Sequence, residues 1–343
     1  MNHRNRNNTS LRKAKGGAVM FSFLLLAGVT GCAGRAAGAS QAVTAGTDAE
    51  ENVSSAETDK GGNVLTVTFM NAGKADAITL QNSSSFVMID TGTADTADQV
   101  VSELKRMGCT SIDALYITHF DQDHVGGAAE VIRNFEVQNI FVTYQSKDSD
   151  EIDAFYQAMA DKGYTAQEIL AEDASERAGV QMQYGGVEYS VYPPDLDEYD
   201  DDTSNNSSLV IRAQNGRNAF LFTGDIEKER IEELLDDGRN LRCDVIKIPH
   251  HGRKCSRTDD LIVAAQPAAA VITSSDEEPE SEKTLEVLRE NNVETYLTRL
   301  GEVKAVSDGW SVKMSGHTDA AEASDFLYSA DTADTESAQE LAQ

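Results

Sequence analysis

Basic residues are scarce in this sequence. Its 343 residues include 29 Lys and Arg against 58 Asp and Glu, which gives a formal net charge of −29. Nonspecific binding to nucleic acid depends on a broad basic surface that displaces counterions from phosphates, so we expect no stable nucleic-acid-binding surface. An anionic substrate is still compatible with this charge, because a bound dication supplies positive charge locally. We interpret the acidic surface as a solubility feature outside the cell.

Paired cysteines and long apolar segments are also lacking. None of the four cysteines shows Cys-x-x-Cys spacing, so a zinc ribbon or a redox motif has no support. Cys109, Cys243 and Cys255 could form one disulfide with a free thiol or remain reduced. Cys255 lies near His251 and is either an incidental small residue or a weak extra ligand. Beyond residue 32 the sequence shows no stretch long and apolar enough to span a bilayer, which argues against a membrane channel in this chain.

The first 32 residues are typical of an exported lipoprotein. A basic segment precedes an apolar stretch, Ala18 to Val29, that is short for a membrane span. The stretch ends in Val29-Thr-Gly-Cys32, which resembles a bacterial lipobox. We therefore predict a signal peptide over residues 1–31, lipidation of Cys32, and an extracytoplasmic protein that contacts the membrane through its lipid anchor only. An ordinary secretory signal with an incidental cysteine is the alternative.

Composition divides the rest of the chain into three parts. Residues 32–62 are small and polar and cannot form a core, so we predict a flexible tether. Residues 63–316 alternate β-branched strands with helices of apolar spacing, which predicts an α/β domain of two mixed sheets faced by helices. Residues 317–343 contain acidic but no basic residues, and we predict a disordered acidic tail.

The densest polar motif follows the apolar run Ala114–Ile117. It holds four candidate ligands: His119, Asp121, Asp123 and His124. Mixed imidazole and carboxylate groups at the end of a buried strand suit a divalent ion such as Zn²⁺, Mn²⁺ or Fe²⁺. A solvated turn is the alternative for a lone His-x-Asp pair, but four candidates at this spacing favour a metal site. A second histidine pair, His250-His251, follows a later predicted strand.

Several further motifs accompany this one in sequence order. They are Asn71-Ala-Gly-Lys-Ala-Asp-Ala77, Asp90-Thr-Gly92, Asn205-Asn-Ser-Ser-Leu-Val210, Thr223-Gly-Asp225 and Ile248-Pro-His-His-Gly252. Alone, the motif that ends at Asp225 would suit a helix N-cap. Together the set resembles the metallo-β-lactamase fold. The usual motif there is His-x-His-x-Asp-His, and the aspartate at position 121 resembles the branch typified by the hydrolase domain of the competence protein ComEC.

This resemblance implies a four-layer αββα sandwich that holds two divalent ions, for which we expect zinc, with Mn²⁺ or Fe²⁺ as alternatives. The implied ligands are His119 and Asp121 for one ion, Asp123 and His124 for the other, Asp225 as the bridge, and His251 (or His250) completing the second site. Asp90 is implied to be structural. The expected catalytic residues are Asp123, His250 and Asn206. Asp123 would orient the attacking water, and Asn206 would hold a substrate oxygen or orient a ligand.

The sequence also departs from the branch. Ser274–Glu280 lacks the histidine expected after the late strand, which could remove a group that protonates the leaving group or contacts substrate. Arg253 and Lys74 replace residues of the usual motifs and could contact an anionic substrate. We expect a hydrolase of phosphodiesters in nucleic acid or a cell-envelope polymer. Hydrolysis of another ester, amide or lactone, and a metal-binding lipoprotein with little turnover, are the alternatives.

Overall fold

The structure is a computed structural model that describes residues 64–174, 178–319 and 323–329. The predicted signal peptide, the predicted lipidation site Cys32 and the predicted tether lie outside the described residues. The strands are β1 (Leu65–Phe69), β2 (Ile78–Gln81), β3 (Phe86–Ile89), β4 (Ser111–Ile112), β5 (Ala114–Ile117), β6 (Glu136–Val137), β7 (Ile140–Val142), β8 (Ala166–Glu168), β9 (Val180–Tyr184), β10 (Val187–Tyr192), β11 (Val210–Asn215), β12 (Asn218–Phe222), β13 (Val245–Lys247), β14 (Ala269–Ile272), β15 (Glu294–Leu297), β16 (Val303–Ser307), β17 (Ser311–His317) and β18 (Ala323–Ser329). The α-helices are α1 (Ala97–Arg106), α2 (Gln122–Val125), α3 (Ala128–Asn134), α4 (Asp150–Lys162), α5 (Thr203–Asn206), α6 (Lys228–Asp236), α7 (Thr258–Ala265) and α8 (Glu282–Glu290).

Two large mixed sheets organise the described residues. The first has the strand order β18-β17-β16-β1-β2-β3-β5-β7-β8, and the second has the order β15-β14-β13-β12-β11-β10-β9. Strands β3, β5, β7 and β8 run parallel in the first sheet, as do β12 to β15 in the second. Parallel strands need crossover connections, and helices supply most of them here. Loops that follow the parallel strands therefore gather at the carboxyl ends of both sheets.

The core consists of three apolar layers. Val87 and Ile89 of β3 and Tyr116 of β5 face an inner cluster that residues from both sheets share. The alternate residues of the same strands, such as Met88 and Leu115, face an outer cluster that also contains apolar residues of α1, α3 and α4. Residues of α6, α7 and α8 cover the second sheet in the same way. The predicted αββα sandwich is confirmed, since period-two alternation directs each strand into two different layers.

Local sequence signals account for the boundaries of single elements. Ser149 is the N-cap of α4 and accepts a hydrogen bond from the Ile152 amide at 3.3 Å. Gly163 ends the same helix in the left-handed conformation that glycine adopts without strain. A hairpin turn at Asn215-Gly216, a sequence that favours such turns, joins β11 to β12, with Asn215 opposite Asn218.

The C-terminal segment differs from its prediction. Residues 317–343 were expected to be disordered, yet β18 pairs antiparallel with the whole of β17 and extends the first sheet. The acidic composition of the segment led to the prediction of disorder, although three apolar residues, Phe326, Leu327 and Tyr328, lie within it. Cys109, Cys243 and Cys255 all carry free thiols. Among the described residues, the helices are all too short or too polar to cross a bilayer.

Candidate metal centre

The candidate ligands lie in loops that follow parallel strands of both sheets. The loop after β5 carries the motif from His119 to His124, and it begins beside the second sheet, where the Leu209 amide donates to the Thr118 carbonyl at 2.9 Å. Asp225 follows β12, and the His250-His251 pair follows β13. Convergence of strand ends thus brings together residues that are more than 100 positions apart in the sequence.

Four of the predicted ligands form one compact group. Ligand atoms of Asp123, His124, Asp225 and His251 all lie within 4.8 Å of one another. Asp225 is central, with Oδ1 3.2 Å from His124 Nε2 and Oδ2 3.1 Å from His251 Nε2. The Nε2 atom of His251 is also 3.4 Å from Asp123 Oδ2. The structure therefore places His251 in this group, whereas the sequence left His251 and His250 as alternatives.

Three buried imidazole nitrogens identify the group as a fit for a metal ion. The Nε2 atoms of His119, His124 and His251 are buried and lack an aligned hydrogen-bond partner, although Asp225 oxygens lie close to two of them. An unsatisfied buried polar atom costs about 1–3 kcal/mol, so a native fold rarely retains three together without a ligand. Nitrogen lone pairs that face carboxylate oxygens at this spacing are the donor set that divalent transition metals prefer.

In His124 and His251, the other ring nitrogen, Nδ1, is held by a protein oxygen. His124 Nδ1 lies 2.7 Å from Asp90 Oδ2, and His251 Nδ1 lies 2.8 Å from the Thr273 carbonyl oxygen. A carbonyl oxygen can only accept, so His251 Nδ1 carries a hydrogen, and Nε2 presents a lone pair once the ring is neutral. Asp90 also accepts from the amide and the hydroxyl of Thr118, both at 2.7 Å. Asp90 thus has the structural place that the resemblance implied.

The pair His119 and Asp121 is less enclosed. His119 Nε2 lies 3.8 Å from Asp121 Oδ1, and the imidazole is fully buried. The Asp121 carboxylate is about a quarter exposed and is bound by the ammonium group of Lys147 and the hydroxyl of Ser204. This pair can contribute ligands beside Asp225, but Asp121 already has other partners.

Sequence reasoning missed two charged residues beneath the site. Lys247 is fully buried, with its Nζ 2.6 Å from Asp76 Oδ2 and 3.3 Å from Asp225 Oδ1. Asp76 in turn accepts from the Thr273 hydroxyl at 2.6 Å. An available signal was the lysine inside the apolar strand β13, because a buried ammonium group needs a carboxylate partner. Its partners, however, come from distant parts of the chain.

The other predicted catalytic residues lie around the group. His250 Nδ1 is 2.9 Å from Glu227 Oε1, and its Nε2 is 4.0 Å from Asp225 Oδ2. The amide of Asn206 accepts from the Glu227 backbone at 2.9 Å and donates to the Asp201 carbonyl at 2.8 Å. The amide that was expected to hold a substrate oxygen or orient a ligand is therefore engaged by two backbone groups, one just before α6 and one before α5.

Two expectations about nearby residues need correction or refinement. Asn205, rather than the predicted Asn206, lies beside the imidazole of His250, with its Nδ2 3.5 Å from His250 Nδ1. Arg253, expected to contact an anionic substrate, is instead ion-paired with Glu278 at 3.2 Å on the exposed surface. Cys255 is half-buried and packs against the outer apolar cluster of the second sheet, which agrees with the incidental alternative.

The backbone of the histidine pair is strained. His250 and His251 have φ values of 49° and 53°, in the left-handed region that side chains other than glycine rarely adopt. This conformation costs about 1–2 kcal/mol per residue, so surrounding contacts must stabilise it. Pro249 fixes the entry to the turn, and Gly252 leaves it with a φ of 76°. The turn directs the two adjacent imidazoles differently, one toward Asp225 and one toward Glu227.

The electrostatic balance differs among the three imidazoles. Burial, together with the neighbouring His124, lowers the pKa of His119 to about 4. Burial also opposes protonation of His124, but the charges of Asp225 and Asp90 outweigh it and raise its pKa well above the usual 6.5. His251 shifts in the same direction, because Asp225 and Asp123 outweigh its burial and raise its pKa. Burial alone would raise the pKa of Asp225, yet the charges of His251, His124 and Lys247 hold it well below its usual value.

Replacing the partner of His124 should weaken metal binding. Asp90→Asn keeps the size of the side chain but removes the charge that orients the imidazole, and loss of such an outer contact typically lowers metal affinity about 10- to 100-fold. Zinc affinity measured by competition with a chromophoric chelator tests this prediction. Asp98→Ala, an exposed change in α1, is the control and should leave affinity unchanged. Equal affinities for the two variants would contradict the assigned role of Asp90.

Metal affinity should rise with pH. Because the pKa values of His124 and His251 are raised above 6.5, an arriving ion must displace their protons near neutral pH. We expect tighter zinc binding at about pH 8 than at about pH 6, with proton release. Calorimetric titrations in buffers of different ionisation enthalpy measure both quantities. An affinity that is constant over this range, with no proton release, would show that these imidazoles are not ligands.

Comparison with known proteins agrees with this geometry. Residues 71–276 match the family described as the metallo-beta-lactamase superfamily. ComE operon protein 3 of Bacillus subtilis is 31% identical over 173 residues, which cover 50% of this chain and 21% of that protein. Competence protein ComA of Neisseria gonorrhoeae is 28% identical over 214 residues, covering 62% of this chain and 27% of that protein.

The shared region is therefore a small part of each relative, about a fifth to a quarter of its length. Among solved structures, the metallo-beta-lactamase fold protein YhfI of Bacillus subtilis aligns with a TM-score of 0.47 at 12% identity, covering 71% of this chain and 99% of that one. The family match includes strands of both sheets and every candidate ligand from His119 to His251. The chain belongs to the metallo-beta-lactamase superfamily, in its ComEC-like branch.

Proposed function

We propose that this protein is a metal-dependent phosphodiesterase that acts outside the cytoplasm, where the predicted lipid on Cys32 holds it at the membrane. Membership of a superfamily rich in hydrolases supports hydrolysis in general. The phosphodiester substrate, the two-ion site and the location are the further steps of the proposal. Nucleic acid and a phosphodiester polymer of the cell envelope are the substrates we consider.

One observation carries the proposal: the orphaned Nε2 atoms of two buried histidines lie beside the carboxylate of Asp225. Both oxygens of this carboxylate face imidazoles, His124 on one side and His251 on the other. His119, also orphaned, lies beside Asp121 and near the same carboxylate, whose charge acts on it. This arrangement supports two ion positions that share Asp225. Divalent ions bound there would activate water and neutralise charge on the transferring phosphoryl group, which suits in-line displacement at a phosphodiester.

The protein's own residues would hold and move protons. Asp123 lies on the open side of the group and is a fifth exposed, so its carboxylate can orient an attacking water. His250 lies at the rim with Nδ1 fixed by Glu227, which leaves Nε2 to donate a proton to the departing oxygen. Lys247 and Asp76 lie below and keep Asp225 in place. Each role follows from a contact already present in the fold.

A second candidate is a metal-binding lipoprotein with little turnover. The observation that favours it lies in the segment Ser274–Glu280, where the ComEC-like branch has a histidine. Glu280 is bound there by the Ser274 hydroxyl at 2.6 Å and by the Arg299 guanidinium at 3.1 Å. This segment therefore offers an ion-paired carboxylate in place of an imidazole. Turnover then depends on His250 as the proton donor.

Hydrolysis of bis-p-nitrophenyl phosphate tests the proposal directly. We expect zinc- or manganese-dependent turnover, and Asp225→Ala should reduce kcat/KM about a thousandfold or more, because several kcal/mol of transition-state stabilisation are lost. Glu286→Ala, an exposed change in α8, serves as the matched control. p-Nitrophenyl acetate distinguishes the alternatives. Turnover of this neutral ester alone would indicate another ester hydrolase, and metal binding without turnover of either substrate would support the second candidate.

A further inference from the structure

We propose that Lys74 and Lys147 form an anion clamp at the rim of the metal centre, which binds the non-bridging oxygens of the substrate phosphate. This inference deepens the proposed function and rests on it for the identity of the substrate. Lys74 was expected from the sequence to contact an anion, whereas neither Lys147 nor the placement of the two residues was anticipated. Their partners in the fold supply the argument.

The metal centre has a buried floor and an open rim. The imidazoles of His119 and His124 are fully buried, whereas Asp121 and Asp123 are 26% and 20% exposed. Lys74, at 15%, and Lys147, at 38%, meet these two carboxylates from the open side. The two ammonium groups therefore lie beside the partly exposed carboxylates of the site rather than at its buried floor.

Each lysine is ion-paired with a predicted ligand. Lys74 Nζ lies 2.7 Å from Asp123 Oδ2, the same oxygen that is 3.4 Å from His251 Nε2. Lys147 Nζ is bound to Asp121 Oδ1, the oxygen that faces His119 Nε2. In both cases the ammonium group contacts the carboxylate oxygen that faces a metal-binding nitrogen. A divalent ion and a lysine therefore compete for the same two oxygens.

This competition would free the positive charge of the two lysines for another anion. An ion that binds Asp121 and Asp123 takes up much of their negative potential, so each ammonium group loses most of its attraction to the carboxylate. Lysine is a compact charge on a flexible stem with three donors, and it can turn to a new anion without the fixed geometry that arginine needs. The protein has a net charge of −29, so the ammonium groups of Lys74 and Lys147 provide positive charge at the rim of the metal centre that an anionic substrate would otherwise lack.

The two lysines come from separate loops, and each side chain reaches a carboxylate of the motif that runs from His119 to His124. Lys74 lies between β1 and β2, and two residues later the Asp76 amide donates to the Asp123 carbonyl at 3.0 Å. Lys147 lies between β7 and α4, and its carbonyl accepts from the Gln145 side chain at 2.9 Å. The loop contacts hold the stems near the rim while the ammonium groups stay partly exposed. This arrangement favours binding of one phosphate between two arms.

Neutralising the lysines separates this role from simple charge compensation of the carboxylates. The variants are Lys74→Gln, Lys147→Gln and the double change, with Lys162→Gln on the exposed end of α4 as the control. The first measurement is zinc affinity by chelator competition. The second is calorimetric binding of inorganic phosphate to each protein at saturating zinc. The third is the KM and kcat for bis-p-nitrophenyl phosphate.

The clamp predicts that the phosphate Kd rises about tenfold for each lysine removed, because each change deletes a charge-assisted hydrogen bond. KM should rise in parallel while kcat changes less, and Lys162→Gln should behave as the native protein. The proposal would be overturned if the variants bound phosphate as tightly as the native protein, or if the native protein bound none. Tighter zinc binding in the variants would then show that the lysines only neutralise carboxylates. Phosphate binding is measured without turnover, so an absence of diester hydrolysis would reject the proposed function and leave the clamp to be judged by the phosphate titration.

Discussion

The site depends on keeping the carboxylate of Asp225 charged in a buried place. A buried carboxylate is costly unless charged or hydrogen-bonding partners surround it. Here the partners are His124, His251 and Lys247, which approach from three directions and hold the pKa of the carboxyl well below its usual value. Lys247 also pairs with Asp76, so charge balance extends below the metal centre. The same arrangement that permits burial also places two imidazole nitrogens where an ion can be bound.

The fold supplies this arrangement through its parallel strand ends. The two sheets pack across a shared apolar layer, so loops after β5, β12 and β13 are carried on rigid elements rather than on a mobile surface. Rigidity is needed because the turn at His250 and His251 is strained and would relax without support. Thr273, at the end of β14, fixes the second of these imidazoles through its carbonyl oxygen. The strained turn therefore separates the two adjacent histidines, so that His251 faces the candidate metal site and His250 faces its rim.

Much of the fold was predictable because its signals are local. Alternation identified the strands of both sheets, and the cap at Ser149 and the turn at Asn215-Gly216 lie within a few residues of the elements they define. The density of His and Asp near position 119 revealed the candidate ligands for the same reason. Choices that depend on distant partners were not predictable. Lys247 is ion-paired with Asp76, which lies 171 positions away in the sequence. Lys147 is ion-paired with Asp121 but lies in a loop whose composition has no distinctive pattern.

Some local patterns were misleading because tertiary context overrides them. Asn206 occupies a motif position that suggests a substrate contact, yet its amide bonds to two backbone groups, one before α5 and one before α6. The acidic tail contains few signals of order, yet β18 finds a partner in the edge strand β17. In both cases, available hydrogen-bonding groups on a neighbouring element decided the outcome.

The central claim is that Asp225 and the orphaned Nε2 nitrogens of His124 and His251 are metal ligands. Crystallographic anomalous scattering at the zinc absorption edge, from protein loaded with zinc, tests it most directly. The account predicts an ion about 2.0–2.2 Å from the Nε2 atoms of His124 and His251 and from an oxygen of Asp225. An anomalous peak elsewhere, with those nitrogens hydrogen-bonded to protein oxygens or to water, would contradict it.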